Sequence, residues 1–95
     1  MNFEWDENKN RSNILKHGID FADIYRVFEG PMIVRVDDRK EYGEVRWRGT
    51  GYLINNVVIV VYVEIDGDTI RVISARKALR HERRQFEQAL SNRLG

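Results

Sequence analysis

Seven consecutive residues, Val57-Val58-Ile59-Val60-Val61-Tyr62-Val63, are apolar, and six of them are β-branched. A run this short and this β-branched reads as a strand, and without polar alternation it must be covered on both faces. Residues 57–64 are therefore predicted to be the central strand of a sheet, and the rest of the chain must clothe it. The flanking pattern supplies a β-meander: a strand over 32–36, a charged loop over 37–43 and a long strand over 44–54. Asn55-Asn56 reads as a two-residue hairpin turn, and Asp66-Gly67 turns the chain into a last strand, Ile70 to Lys77.

This reading sets a register. If Ile54 faces Val57, Gly49 lies opposite Tyr62 and Trp47 opposite Glu64, so a tyrosine covers a cross-strand glycine. Arg71 then pairs with Tyr62, close to Glu64. One face carries Trp47, Tyr62, Glu64, Arg71 and Lys77; the other carries Arg46, Arg48, Tyr52, Ser74 and Arg76.

The first thirty residues are helical after a short strand at 2–5. Asp6 caps a helix that runs to Lys16-His17-Gly18, with cations in its last turn and glycine at the left-handed stop. Ile14 and Leu15 are its expected anchors. Asp20 caps a second helix whose Phe21, Ile24, Tyr25, Val27 and Phe28 form a buried stripe, ended by Gly30-Pro31. A final helix over 78–93 has a thin stripe of Leu79, Phe86, Leu90 and Leu94. The fold class is α+β: a twisted antiparallel sheet, two N-terminal helices and one C-terminal helix. At 95 residues, one domain spanning 1–95 with one core is the limit.

The absence of cysteine excludes disulfide staples and thiolate metal sites. No apolar run approaches a membrane span, and the polar start Met1-Asn2-Phe3-Glu4-Trp5-Asp6 is not a signal peptide, so the expected location is the cytoplasm. Net charge is +1, yet residues 69–95 hold seven basic and two acidic side chains. A basic C-terminal third suits a polyanion, or equally a solvated helix end.

His17 and His81 lack metal-ligand spacing, a nucleophile elbow around serine is missing, and Gly49-Thr50-Gly51 lies within a strand, so metal, serine and glycine-loop chemistries have no support. Arginine, histidine, tyrosine and glutamate on a sheet remain. That set suits RNA cleavage without metal: a base takes the ribose 2′ proton, cations hold the charged phosphorane, and an acid protonates the leaving 5′ oxygen. His17, Glu44, Arg46, Arg71 and Arg76 are the candidate catalytic residues, with His17 or Glu44 moving protons. Arg46, Arg71 and Arg76 are expected to converge on one phosphate. Lys16, Arg48, Lys77 and Arg80 are the candidate RNA-binding residues. Each also has an ordinary structural reading: Arg71 as a partner of Glu64, His17 as a helix-end cation, Arg80 with Arg83 and Arg84 as a solvated face. No metal and no cofactor are expected.

Phe3-Glu4-Trp5-Asp6 with Lys9 and Asn13, Lys16-His17-Gly18-Ile19, Phe21 and Val27-Phe28 make up one set of motifs. Tyr42-Gly43-Glu44 with Arg46, then Ile70-Arg71-Val72-Ile73-Ser74-Ala75-Arg76-Lys77-Ala78 with Glu82-Arg83, make up a second. In order and spacing the chain resembles the BrnT toxins of bacterial type II toxin–antitoxin systems. The resemblance implies a RelE-like fold and a ribonuclease that blocks translation by cutting RNA. It also implies a BrnA-type antitoxin that forms a complex with the toxin and whose DNA-binding part acts on operator DNA. Lys16, His17, Glu44, Arg46, Arg71, Ser74, Arg76 and Lys77 are the positions it matches. Two other readings stay open: a toxin of the same fold that acts on a protein target, as gyrase poisons do, and a non-catalytic partner of a DNA-binding repressor.

Overall fold

The structure, a computed structural model, describes residues 1–94. Five strands, β1 (Asn2–Glu4), β2 (Met32–Val36), β3 (Trp47–Leu53), β4 (Asn56–Ile65) and β5 (Thr69–Lys77), form one sheet in the order β1-β5-β4-β3-β2. β4 is the middle strand, and Val57 to Tyr62 are all buried, as an apolar run without alternation demands. Helix α1 spans Glu7–His17, α2 Tyr25–Phe28 and α3 Arg80–Leu94, with one 3₁₀ turn, Phe21–Asp23, ahead of α2.

Several expectations need correction. The sheet is mixed: β1 runs parallel to β5, pairing Glu4 with Arg71, while the other pairs are antiparallel. The second N-terminal helix is reduced to the 3₁₀ turn and the four residues of α2, so Tyr25 leaves the buried stripe and is exposed. The β3–β4 hairpin turns at Ile54-Asn55, with Leu53 opposite Asn56, two residues from the expected register. A slip of two preserves side-chain parity, so the faces of β3 stand as expected. Gly49 pairs with Val60, yet the Tyr62 ring still covers it, 3.2 Å from where a Cβ would lie.

The helix-covered face gathers Leu53, Val58, Val60, Tyr62, Ile70, Val72 and Ala75 against Ile19, Phe21, Ile24 and Val27. Phe28 joins Phe3 to Tyr62 through edge-to-face contacts with centroids 5.3 and 5.0 Å apart, the geometry that aromatic quadrupoles favour. On the other face α3 covers part of the sheet through Phe86, which meets Tyr52 edge to face at 5.2 Å. Of its thin stripe, Phe86 is buried and Leu79 exposed; the side chain of Leu94 lies outside the described residues.

α1 has the predicted caps: Asp6 accepts from the Asn8 and Lys9 N–H groups, and Gly18 closes it at φ 71°. Its anchors differ. Leu15 is 90% exposed and Ile14 39%, whereas Asn10 and Asn13 are buried. Asn13 Oδ1 accepts from the Ala75 N–H at 3.1 Å, and Asn13 Nδ2 donates to the carbonyls of Ala75 and Ile19 at 2.9 and 3.0 Å. Asn10 donates to Asp20 and accepts from the Phe21 N–H. A polar helix thus docks through carboxamides that find every partner, which removes the usual cost of burying them.

Candidate active site

β5 begins three residues after β4 ends, Ile65 facing Thr69 around Asp66-Gly67-Asp68. Arg71 therefore lies opposite Val63, not Tyr62. Beyond Val72 the register shifts: Tyr62 faces Val72 but Val61 faces Ser74, leaving Ile73 as a bulge residue. In a regular strand residues five apart point to opposite faces. With the bulge, Arg71 pairs with Val63 and Arg76 with Ile59, so both stand on the face of the odd-numbered β4 residues. Arg71 is hence on the face of Ser74 and Arg76, contrary to expectation, and its carboxylate partner is Glu4 on β1, at 2.8 Å, instead of Glu64.

The register builds cationic rows across this open face. Arg35, Arg48, Val61 and Ser74 are consecutive partners from β2 to β5, and Ile33, Thr50, Ile59 and Arg76 form the next row. α1 contacts β5, and His17, one helical turn after the Asn13 anchor, comes to the Ser74 end of the first row. His17, Ser74, Arg48 and Arg76 line one small recess of about 50 Å³ floored by Ile59 and Val61. Arg39 joins them from the 37–46 loop.

Two further depressions share walls with this recess, and a third joins one of those two. Lys16 lies in a cleft that shares His17 and Ser74 with it. That cleft shares Lys9 and Ile73 with a third, of about 330 Å³, lined by Glu44, Arg46 and Arg71. On the opposite side, a depression of about 290 Å³ under α3 shares Arg48 and Ile59 and includes Arg35, Thr50, His81 and Gln85. The result is a trough with basic side chains along its length.

The expected convergence of Arg46, Arg71 and Arg76 on one spot is not what the sheet produces. Arg46 and Arg71 share a cleft with Glu44, and Arg76 sits in the His17 recess. Different carboxylates hold the two guanidinium groups: Glu4 on β1 takes Arg71 at 2.8 Å and Glu82 on α3 takes Arg76 at 2.8 Å. Lys77 and Arg80 are exposed and line none of these four depressions.

Carboxylates order the cations. Glu82 takes Arg76 at 2.8 and 2.9 Å and Arg48 at 3.0 Å; those guanidinium groups hold its carboxyl at about 2, below the ordinary carboxylate range. Asp37, with a fully buried side chain, takes Arg39 at 2.7 and 2.9 Å and the Tyr42 hydroxyl at 3.3 Å, and Arg39 likewise holds it at about 2. The Arg46 guanidinium lies 4.1 Å from the centre of the Tyr42 ring and 3.2 Å from Glu44. Arg39 and Glu82 were not among the sequence candidates. Asp37-Asp38-Arg39-Lys40-Glu41 looks like a solvated charge run, and Glu82 like one more charge on a charged helix. Among the described residues no group of three or more His, Asp or Glu could hold a metal ion.

Chemically, the recess offers an imidazole for proton transfer, three partly exposed guanidinium groups, of Arg39, Arg48 and Arg76, for a pentavalent phosphate, and a hydroxyl donor. A family model described as "Ribonuclease toxin, BrnT, of type II toxin-antitoxin system" matches residues 5–82. Among solved structures, the chain is similar to the crystal structure of the Brucella abortus ribonuclease toxin BrnT. The two share 29% identity with a TM-score of 0.66, over 84% of this chain and 99% of that one. No curated protein matches the chain.

Proposed function

The chain belongs to the BrnT family of ribonuclease toxins of type II toxin–antitoxin systems, and on that premise we propose that it cuts RNA without a metal ion. The single observation that carries this reading is the recess where His17, Arg48 and Arg76 meet from three different elements. A ribose 2′ oxygen attacks the adjacent phosphorus, the bond to the 5′ oxygen breaks, and a 2′,3′-cyclic phosphate and a free 5′ hydroxyl result. His17 takes the proton from the 2′ hydroxyl and passes it to the leaving 5′ oxygen. Arg48 and Arg76 stabilise the phosphorane from a rigid sheet, where preorganised charge acts most strongly. Glu44, already paired with Arg46 one cleft away, loses the proton-transfer role to His17. Arg46, Arg71 and Lys16 bind flanking phosphates along the trough, a contribution that salt weakens.

The scaffold is read as RelE-like, the working compartment as the cytoplasm, and the partner as a BrnA-type antitoxin that binds operator DNA on behalf of the pair. The test is incubation of the purified chain with a defined RNA in the presence of EDTA. Fragments ending in 2′,3′-cyclic phosphate are expected. RNA left intact by a chain that still arrests growth would move the activity to a protein target.

A further inference from the structure

Glu82 sits at the third position of α3 and reaches back to accept the Leu79 N–H at 2.8 Å, half of a capping box. A capping glutamate needs one oxygen for that. This one also spans two strands: Oε1 and Oε2 take both terminal nitrogens of Arg76 on β5, and Oε2 takes Arg48 on β3. Its side chain is 14% exposed, against 32% for Arg76 and 31% for Arg48. The carboxylate is thus the inner member of the triad and the guanidinium groups are its outer members.

The direction of approach matters. Glu82 lines the depression under α3, not the His17 recess, while Arg48 lines both and Arg76 lines the recess. Each guanidinium has five N–H donors. Arg76 spends two on Glu82 and one on the Lys77 carbonyl, and Arg48 spends one on Glu82. Six donors of the pair remain for a ligand. A carboxylate competing with phosphate would sit in the recess and occupy those donors; this one grips the cations from outside it.

We propose that Glu82 is the positioning residue of the cleavage site: it fixes the Arg48 and Arg76 guanidinium groups from behind so that their free donors face one phosphate. The inference rests on the ribonuclease reading of the His17 recess and adds to it the residue that presets the geometry. A planar fork held by a planar acceptor loses its side-chain freedom before substrate arrives.

The experiment compares wild type with Glu82→Gln, which keeps shape and the helix cap, and with Glu82→Ala, each first shown to melt cooperatively. The kcat and KM for cleavage of one RNA oligonucleotide are then measured. Simple electrostatics says that removing a carboxylate beside a phosphate site tightens binding. Positioning says that kcat falls about 10- to 100-fold in Glu82→Ala, and less in Glu82→Gln, while KM does not rise. A folded Glu82→Gln or Glu82→Ala protein with unchanged or higher kcat would overturn the proposal. If the wild-type chain cleaves no RNA, the ribonuclease reading fails on its own, and arginine side-chain NMR decides the positioning claim. Two guanidinium groups with slowed rotation in wild type, freed in Glu82→Gln, support it; guanidinium groups already free in wild type overturn it.

Discussion

The carboxamide of Asn13 and the backbone of Ala75 exchange two hydrogen bonds, as facing residues of neighbouring strands do. β1 pairs with β5 only as far as Arg71, so a helix side chain takes over the strand edge further along. Residues four apart share a helix face. Asn13 therefore registers α1 so that His17 arrives beside Ser74. The position of the imidazole is set by a structural amide one turn away.

Replacing Asn13 with Ala strips partners from the Ala75 N–H and from the Ala75 and Ile19 carbonyls. At about 1–3 kcal/mol for each buried group left unpaired, a net loss of about 3 kcal/mol is expected in urea denaturation. Asn13→Asp should do no better at neutral pH, since it turns an oxygen toward two carbonyls.

Stability should fall in acid through Asp37 and Glu82. Both titrate at about 2 in the folded protein, below their ordinary values of 3.8 and 4.5. Lowered folded values mean that the stabilisation is complete above about pH 4.5 and is lost as pH falls toward 2. Roughly 2 kcal/mol each is at stake, allowing for the half-exposed Arg39. Urea midpoints measured from pH 6 to pH 2 should show the decline, and Asp37→Asn or Glu82→Gln should flatten it.

The two strand glycines rank clearly. A Cβ at Gly51 would meet Val27 at 2.8 Å and the Pro31 carbonyl at 3.3 Å, one a buried side chain and the other backbone. At Gly49 the closest atom, at 2.6 Å, is the flexible end of Met32. Overpacking costs about 1–3 kcal/mol, so Gly51→Ala should lie near the top of that range and Gly49→Ala near the bottom. Thermal melts of the two variants test the order.

Ile54 occupies the left-handed region at φ 56°, an outlier for a β-branched residue, and is 74% exposed. Ile54→Asn relieves the strain with nothing to repack. A gain of about 1 kcal/mol is expected in chemical denaturation.

What the sequence shows and what it hides follow from this geometry. The central place of β4 is legible because an unbroken β-branched run leaves no other arrangement. The hairpin register slips because Asn55-Asn56 is the better turn by composition than Ile54-Asn55, and parity conceals the slip. Neither the third turn residue, Asp68, nor the bulge at Ile73 has a composition signal, yet the first moves Arg71 to the other face and the second keeps Ser74 and Arg76 on that same face. Asn10, Asn13, Arg39 and Glu82 look like solvated polar residues in a polar helix, a charged loop and a charged helix. Tertiary structure brings Ala75 to Asn13, Phe21 to Asn10, and Arg48 and Arg76 to Glu82, and it buries the side chain of Asp37 beside its neighbour Arg39.

The most direct test is the single-turnover cleavage rate of folded Arg76→Ala against wild type, on one RNA in EDTA. Removing one preorganised donor from a developing anion costs about 100- to 1,000-fold, and a drop of that size is expected, with relief of growth arrest in cells. An Arg76→Ala protein that is folded and cleaves at the wild-type rate would contradict the placement of the chemistry in the His17 recess.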